Sequence, residues 1–187
     1  FGIQFHPEVS HCEYGNKILE NFALGICSAS KDWNLSDYLE ERSEEVRSKA
    51  GDSPVLLLIS GGVDSTVAAA LLLSSLPPSQ LHLMYIDTGL MRKGESEEVG
   101  DNLRKLGAQN LYLIDARKRF LQALSQVIDP EKKRNIIGDE FIRVQEEEIA
   151  KRGINNAFLA QGTLYTDLIE SGKGIGEKAD IIKSHHN

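Results

Sequence analysis

The chain has 187 residues, enough for one full domain and part of another. With 28 Asp and Glu against 21 Lys and Arg its formal net charge is −7, which argues against a nucleic-acid-binding surface. No apolar run reaches the ~18 residues of a bilayer span, no signal peptide opens the chain, and Cys12 and Cys27 are too few for a disulfide framework, so a cytoplasmic protein with no membrane partner is expected.

The chain opens at Phe1 and closes at Asn187, both inside segments with structural or functional character, so an internal piece of a longer protein is expected. Residues 1–5 alternate weakly and are apolar enough for a strand. That strand would lead into Phe5-His6-Pro7-Glu8, where His6 and Glu8 fall on one side of an extended chain. A carboxylate so placed can orient an imidazole and stabilise its charge, the base and orienter half of a nucleophilic triad. No nucleophile accompanies them: neither Cys12 nor Cys27 lies in a Gly-x-Cys-x-Gly elbow, and both read as small apolar residues in or near a core. Ile18, Leu19, Phe22, Ala23 and Ile26 recur at helical spacing over 16–27, and the polar residues 28–34 read as a linker. Asn34 can cap a helix over 35–49, with Leu35, Tyr38, Leu39 and Val46 on one side and a charged, solvated face opposite.

From Pro54 a strand–helix unit repeats. Strands are expected at 55–60, 81–87, 111–115 and 157–160, and helices at 66–73, 96–106, 117–127 and 136–151, with Gly107 and Gly153 as C-caps. This alternation predicts an α/β fold: a mostly parallel, doubly wound sheet with helices on both faces. Ligands of such sheets bind beyond the carboxyl ends of the strands. The segment 60–65, Asp87-Thr88-Gly89 and Gln161-Gly162-Thr163 all fall there.

Ser60-Gly61-Gly62-Val63-Asp64-Ser65 joins an apolar strand to an Ala- and Leu-rich helix. A glycine turn at a helix start leaves backbone N–H groups free to meet an anion, and no Cβ keeps a phosphate away. Ser60 and Ser65 add hydroxyls. The loop lacks the Lys of a Walker A motif and carries Asp64 instead. A carboxylate in a phosphate cradle implies a divalent cation, Mg²⁺, between the two. Asp87 reads equally as a nucleotide or metal partner and as the cap of its own turn. Residues 129–138, with Lys132, Lys133 and Arg134, read either as a solvated connection or as a mobile lid that reaches phosphates on closure. Asp167 and Glu170, at i,i+3 spacing, and Lys183, His185 and His186 read as contacts to an acceptor substrate, against the alternative of ordinary surface charges.

The segment 60–65 resembles the PP-loop of ATP pyrophosphatases, which split ATP to AMP and pyrophosphate. Gly2-Ile3-Gln4-Phe5-His6-Pro7-Glu8 resembles the end of a class I glutamine amidotransferase domain. Joined, and with Tyr85 to Arg92, Lys133 to Gly138, Ala160 to Tyr165, Asp167 to Ser171 and Lys183 to Asn187, they resemble the glutamine-hydrolysing GMP synthase family along essentially the whole chain. The family usually has Pro where Thr166 stands. The resemblance implies residues 1–28 as an amidotransferase end and 29–187 as a truncated ATP pyrophosphatase domain. It implies ATP, xanthosine monophosphate (XMP) and glutamine as substrates, and Mg²⁺ as cofactor. It also implies a homodimer formed through a C-terminal domain beyond this chain. Another ammonia-using PP-loop ligase of the NAD synthetase kind, and a non-catalytic nucleotide-binding fragment, stand as alternatives.

Overall fold

The computed structural model describes residues 2–163. They fall into two compact units divided inside one helix, between Glu40 and Glu41. The acceptor residues Asp167, Glu170, Lys183, His185 and His186 lie outside the described residues.

In the first unit the expected N-terminal strand is absent. Residues 2–5 are exposed and pair with no strand among the described residues, and an extended segment without a ladder is not stable in water. Turns follow, closed by Cys12 N–H to the Val9 carbonyl (3.0 Å) and Gly15 N–H to the Cys12 carbonyl (3.1 Å). The helix expected over 16–27 is α1 (Gly15–Glu20) running into a wider π-helical turn at Asn21–Ile26. The change of winding is visible where Cys27 N–H reaches back five residues to the Phe22 carbonyl. α2 (Leu35–Ala50) starts as the sequence predicts, with Asn34 Oδ1 accepting from Ser36 N–H at 2.9 Å. Of the four apolar residues expected on one side Val46 packs on a core, where Ala50 is also buried, while Leu35, Tyr38 and Leu39 are exposed.

The second unit holds β1 (Val55–Ile59), α3 (Val63–Ser75), β2 (Leu81–Asp87), α4 (Glu95–Lys105), β3 (Asn110–Asp115), α5 (Arg117–Ala123), α6 (Pro130–Arg152) and β4 (Phe158–Ala160). All four strands are parallel, in the order β3-β2-β1-β4, with Val55 opposite both Leu81 and Phe158, and Asp87 opposite Asp115. The unbroken apolar run of β1 suits a strand covered on both faces. Val55, Leu57 and Ile59, with Leu83 and Tyr85 of β2, meet Ala69 and Leu72 of α3 and Leu103 of α4 on one face. Leu56, Met84 and Ile86 turn to the other face, against Phe120 of α5 and Val144 of α6. The sheet is therefore doubly wound. Strand order steps outward from β1 to β3, then returns to place β4 on the far side of β1, so the switch point lies between β1 and β4.

Gly107 and Gly153 are left-handed C-caps, as expected, each with a six-residue closing bond: Ala108 N–H to Leu103 O and Ile154 N–H to Ile149 O. Two element boundaries differ from expectation. α5 stops at Ala123, not 127, because Gln126 takes φ +62 and Ile128 is 88% exposed, with no surface to pack on. Residues 129–138, expected as a solvated connection or a mobile lid ahead of a helix from 136, are instead helical from Pro130, the first turns of α6. Asp129 Oδ1 accepts from Lys132 N–H at 2.8 Å, Pro130 stands at the first helical position, and Glu131 faces the positive end of the dipole.

At the end of β3, Asp115 accepts from Arg117 Nε (2.8 Å), Nη2 (2.6 Å) and N–H (3.2 Å). The guanidinium bonds, then the amide, lower its carboxyl from an ordinary 3.8 to about 2. A depressed folded-state pKa stabilises the fold above the unfolded pKa, and that stability is lost as pH falls through the folded one. Asp115→Asn is thus expected to lower the urea midpoint by a constant amount near neutrality, with the gap to wild type closing between about pH 3.8 and about pH 2. A gap unchanged across that window would mean the pair contributes nothing to acid stability.

Candidate active site at the switch point

The segment 60–65 leaves the carboxyl end of β1. Gly61 takes φ +86, a conformation that only glycine adopts without strain, and Gly62 is extended at the helix N-cap. α3 begins at Val63, so Val63, Asp64 and Ser65 form its first turn rather than a loop as expected. No side chain caps that turn. The first N–H of α3 bonded within the helix is Thr66 N–H, to Gly62 O, so the amides before it are free to meet an anion.

The serines brace the loop from inside. Ser65 is buried, accepts from Ser60 N–H (3.3 Å) and donates to the Gly62 carbonyl (3.1 Å). Ser60 Oγ accepts from Gly62 N–H (3.3 Å) and lies 3.1 Å from Ser65 Oγ. Asp64 is exposed, and no cation or hydrogen-bond donor among the described residues pairs with it. No group of three or more His, Cys, Asp or Glu residues forms a metal cage among the described residues. One carboxylate beside hydroxyls and free amides fits Mg²⁺, which binds through one or two carboxylates plus substrate phosphates and keeps several waters.

A cavity of about 920 Å³ opens at this point. Ser60, Asp64 and Ser65 line one side, Gln161 and Gly162 another, and the N-terminal half of α6 a third. α6 contributes Glu131, Arg134 and Asn135, and deeper in Ile137, Phe141 and Gln145. Arg134 is ion-paired with Glu131, and both side chains are more than half exposed. Lys132 and Lys133 do not line the cavity. Of this wall the sequence singles out Arg134 but not Glu131, Asn135, Ile137, Phe141 or Gln145, because 129–138 reads as a connection or lid with the helix starting at 136. Continuing the helical stride back through Gln145, Phe141, Gly138, Arg134 and Glu131 would have found it.

Asp87 stands apart from the cavity. Its Oδ1 accepts from Gly89 N–H and its Oδ2 from Ser96 Oγ, each at 2.8 Å, and Ser96 Oγ lies 3.2 Å from the Tyr85 hydroxyl. Both oxygens therefore serve the turn and the start of α4. Burial raises the Tyr85 pKa.

In the first unit, His6 Nδ1 and Glu8 Oε1 are 2.9 Å apart, the contact expected of a base and its orienter. The backbone N–H of Glu8, then His6, lowers the Glu8 pKa. Both side chains are mostly exposed, Cys12 is half-buried and Cys27 exposed.

No family model matches the chain. The glutamine-hydrolysing GMP synthase of Caldicellulosiruptor saccharolyticus is 50% identical over 187 residues, which is 100% of this chain and 36% of that protein. The GMP synthase of Streptococcus mutans is 50% identical over 188 residues, 100% of this chain and 35% of that one. Over its whole length the chain is homologous to part of glutamine-hydrolysing GMP synthase. It spans about a third of the length of these GMP synthases. Among solved structures, the NH3-dependent NAD synthetase from Campylobacter jejuni aligns with TM-score 0.61 at 17% identity, covering 76% of this chain and 62% of that one. The NAD+ synthetase of Burkholderia pseudomallei aligns with TM-score 0.55 at 19% identity, covering 76% and 58%. At such identity the likeness is one of fold, the α/β parallel sheet predicted from the strand–helix repeat. No described helix is long and apolar enough to cross a membrane.

Proposed function

We propose that this chain is the ATP pyrophosphatase portion of a glutamine-hydrolysing GMP synthase, residues 29–187, preceded by the end of its amidotransferase portion, residues 1–28. The observation that carries the reading is the free-amide turn at Val63–Ser65 beside unpaired Asp64, on a cavity at the sheet's switch point. The homology of the whole chain supports it further.

In this reading the amides of 63–65 hold the terminal phosphates of ATP. Gly61 and Gly62 let the phosphates approach, and Ser60 and Ser65 keep the turn in shape. Asp64 would hold Mg²⁺, which when bound neutralises phosphate charge and eases the departure of pyrophosphate. With the terminal phosphates gripped, the α-phosphorus is left open to an oxygen of XMP. That oxygen bonds to phosphorus, the bridge to the β-phosphate breaks, and pyrophosphate leaves. Ammonia then displaces AMP from the activated carbon to give GMP. Positioning and charge neutralisation carry both steps.

Arg134 lines the cavity and Lys132 and Lys133 do not, so in this reading the start of α6 acts as a lid that brings the three to the phosphates on closure, and Asp87 serves the nucleotide or its metal. Asp167, Glu170, Lys183, His185 and His186 meet XMP. His6 and Glu8 are the base and orienter for glutamine hydrolysis, completed by a Cys elsewhere in the full-length enzyme. That enzyme is a cytoplasmic homodimer with no nucleic-acid or membrane partner.

The test is exchange of labelled pyrophosphate into ATP by the full-length protein. Exchange is expected only when XMP and Mg²⁺ are both present. Exchange supported by a nicotinic-acid dinucleotide instead would transfer the chain to the NAD synthetase class. No exchange with any acceptor would leave only nucleotide binding.

A further inference from the structure

We infer that Gly162 is a positioning residue for the phosphate-binding turn, acting through backbone contact with Asp64 and Ser65; the inference rests on the function proposed above. A Cβ built on Gly162 would lie 3.1 Å from the Asp64 carbonyl carbon, 3.2 Å from the Asp64 oxygen and 3.2 Å from the Ser65 nitrogen. All three are backbone atoms in the first turn of α3, so no side-chain rotation relieves the contact. The amide of Ser65 is itself one of the amides in that turn left without an acceptor, and Ser65 lines the cavity.

A second close approach is made to the same segment: a Cβ on Gly61 would lie 3.1 Å from Val99 Cγ2 of α4. β4 is joined to β1 in register, Leu57 opposite Ala160, so the sheet carries Gly162 to this place. Gly162 also lines the cavity. Its role is thus to let two chain ends meet at the switch point without a side chain between them. A methyl group there must push the Asp64–Ser65 backbone by a few tenths of an ångström. Donors preorganised for a phosphate lose much of their value when displaced, and a misplacement of about 1 Å can reduce rate ~10²-fold.

The experiment compares wild type, Gly162→Ala and Asp64→Asn as full-length protein, by exchange kinetics, calorimetry with MgATP and thermal melting. Gly162→Ala is expected to melt within a few degrees of wild type, yet to raise KM and Kd for MgATP about tenfold while KM for XMP stays within about twofold. A folded Gly162→Ala with unchanged MgATP affinity, or with MgATP and XMP weakened alike, overturns the inference. Should Gly162→Ala fail to fold, amide exchange in wild type decides. MgATP must slow exchange at 161–163 together with 63–66, and an unprotected 161–163 overturns the inference. Asp64→Asn separates the two levels. If it leaves MgATP affinity intact, the proposed phosphate site itself is wrong; if it weakens binding and Gly162→Ala does not, only the role of Gly162 falls.

Discussion

Asp64→Ala is expected to weaken magnesium-dependent ATP binding by the full-length protein about 10²-fold, at the upper end of what residues supporting a bound metal contribute. The carboxylate stands in the first turn of α3, beside amides suited to phosphate, with no cation among the described residues to neutralise it. Alone it repels a triphosphate; bridged by Mg²⁺ it attracts one. The sign of its effect must therefore reverse with metal. In EDTA, Asp64→Asn should bind ATP no more weakly than wild type, and somewhat better at low ionic strength. Calorimetry with and without Mg²⁺ reads both arms. A carboxylate at a helix start also stabilises the dipole by about 0.3–1 kcal/mol, so a small fall in melting temperature accompanies either variant and does not explain a metal-specific loss. Equal losses with and without Mg²⁺ would remove Asp64 from the metal.

Phe120→Ala is expected to destabilise the second unit by roughly 3–5 kcal/mol. The ring is 0% exposed, among Leu56, Met84, Ile86, Ala116 and Val144. It is the main anchor of the short helix α5, whose seven residues have little stability of their own. For a domain of this size the loss corresponds to a fall in melting temperature on the order of 10 °C. Natural domains hold about 5–15 kcal/mol in all, so a large part of the reserve goes. A loss below about 1 kcal/mol, small beside any buried aromatic truncation, would mean that α5 does not seal this face.

The sheet was legible because its signals are local. Val55–Ile59 is apolar without interruption, and Gly107 and Gly153 end helices by an unambiguous steric rule. The glycine turn at 60–62 was legible for the same reason. What escaped was whatever depended on distant partners. Residues 2–5 looked like a strand because composition cannot say whether a neighbouring strand exists to complete the ladder. The charged stretch 130–135 looked irregular because its polarity outweighed a helix start written in Asp129, Pro130 and Glu131. Asp87 reads from sequence as a ligand contact or a turn cap alike, and no local signal announces the Ser96 hydroxyl that joins Gly89 N–H on its carboxylate. The contact of Gly162 with Asp64 has no sequence signal at all: the two are 98 positions apart, and only the order of the strands brings them together.

α6 also has a mechanical side. Its 23 residues extend about 34 Å as one rod, anchored by Val144 in the core, and its leading turns border the cavity. Such a rod transmits displacement at one end to the other unless it has a joint. Gly138 is the one glycine inside the helix, and glycine in a helix interior is less favourable than alanine by about 1 kcal/mol. The stretch ahead of it, 130–137, is held mainly by the Asp129 cap, worth about 1 kcal/mol, and by partly buried Ile137. Losing these two turns would leave the half of the helix anchored by Val144 in place. Lys132, Lys133 and Arg134 all stand on these two turns, ahead of the glycine, so any change in their winding would move the three cations together.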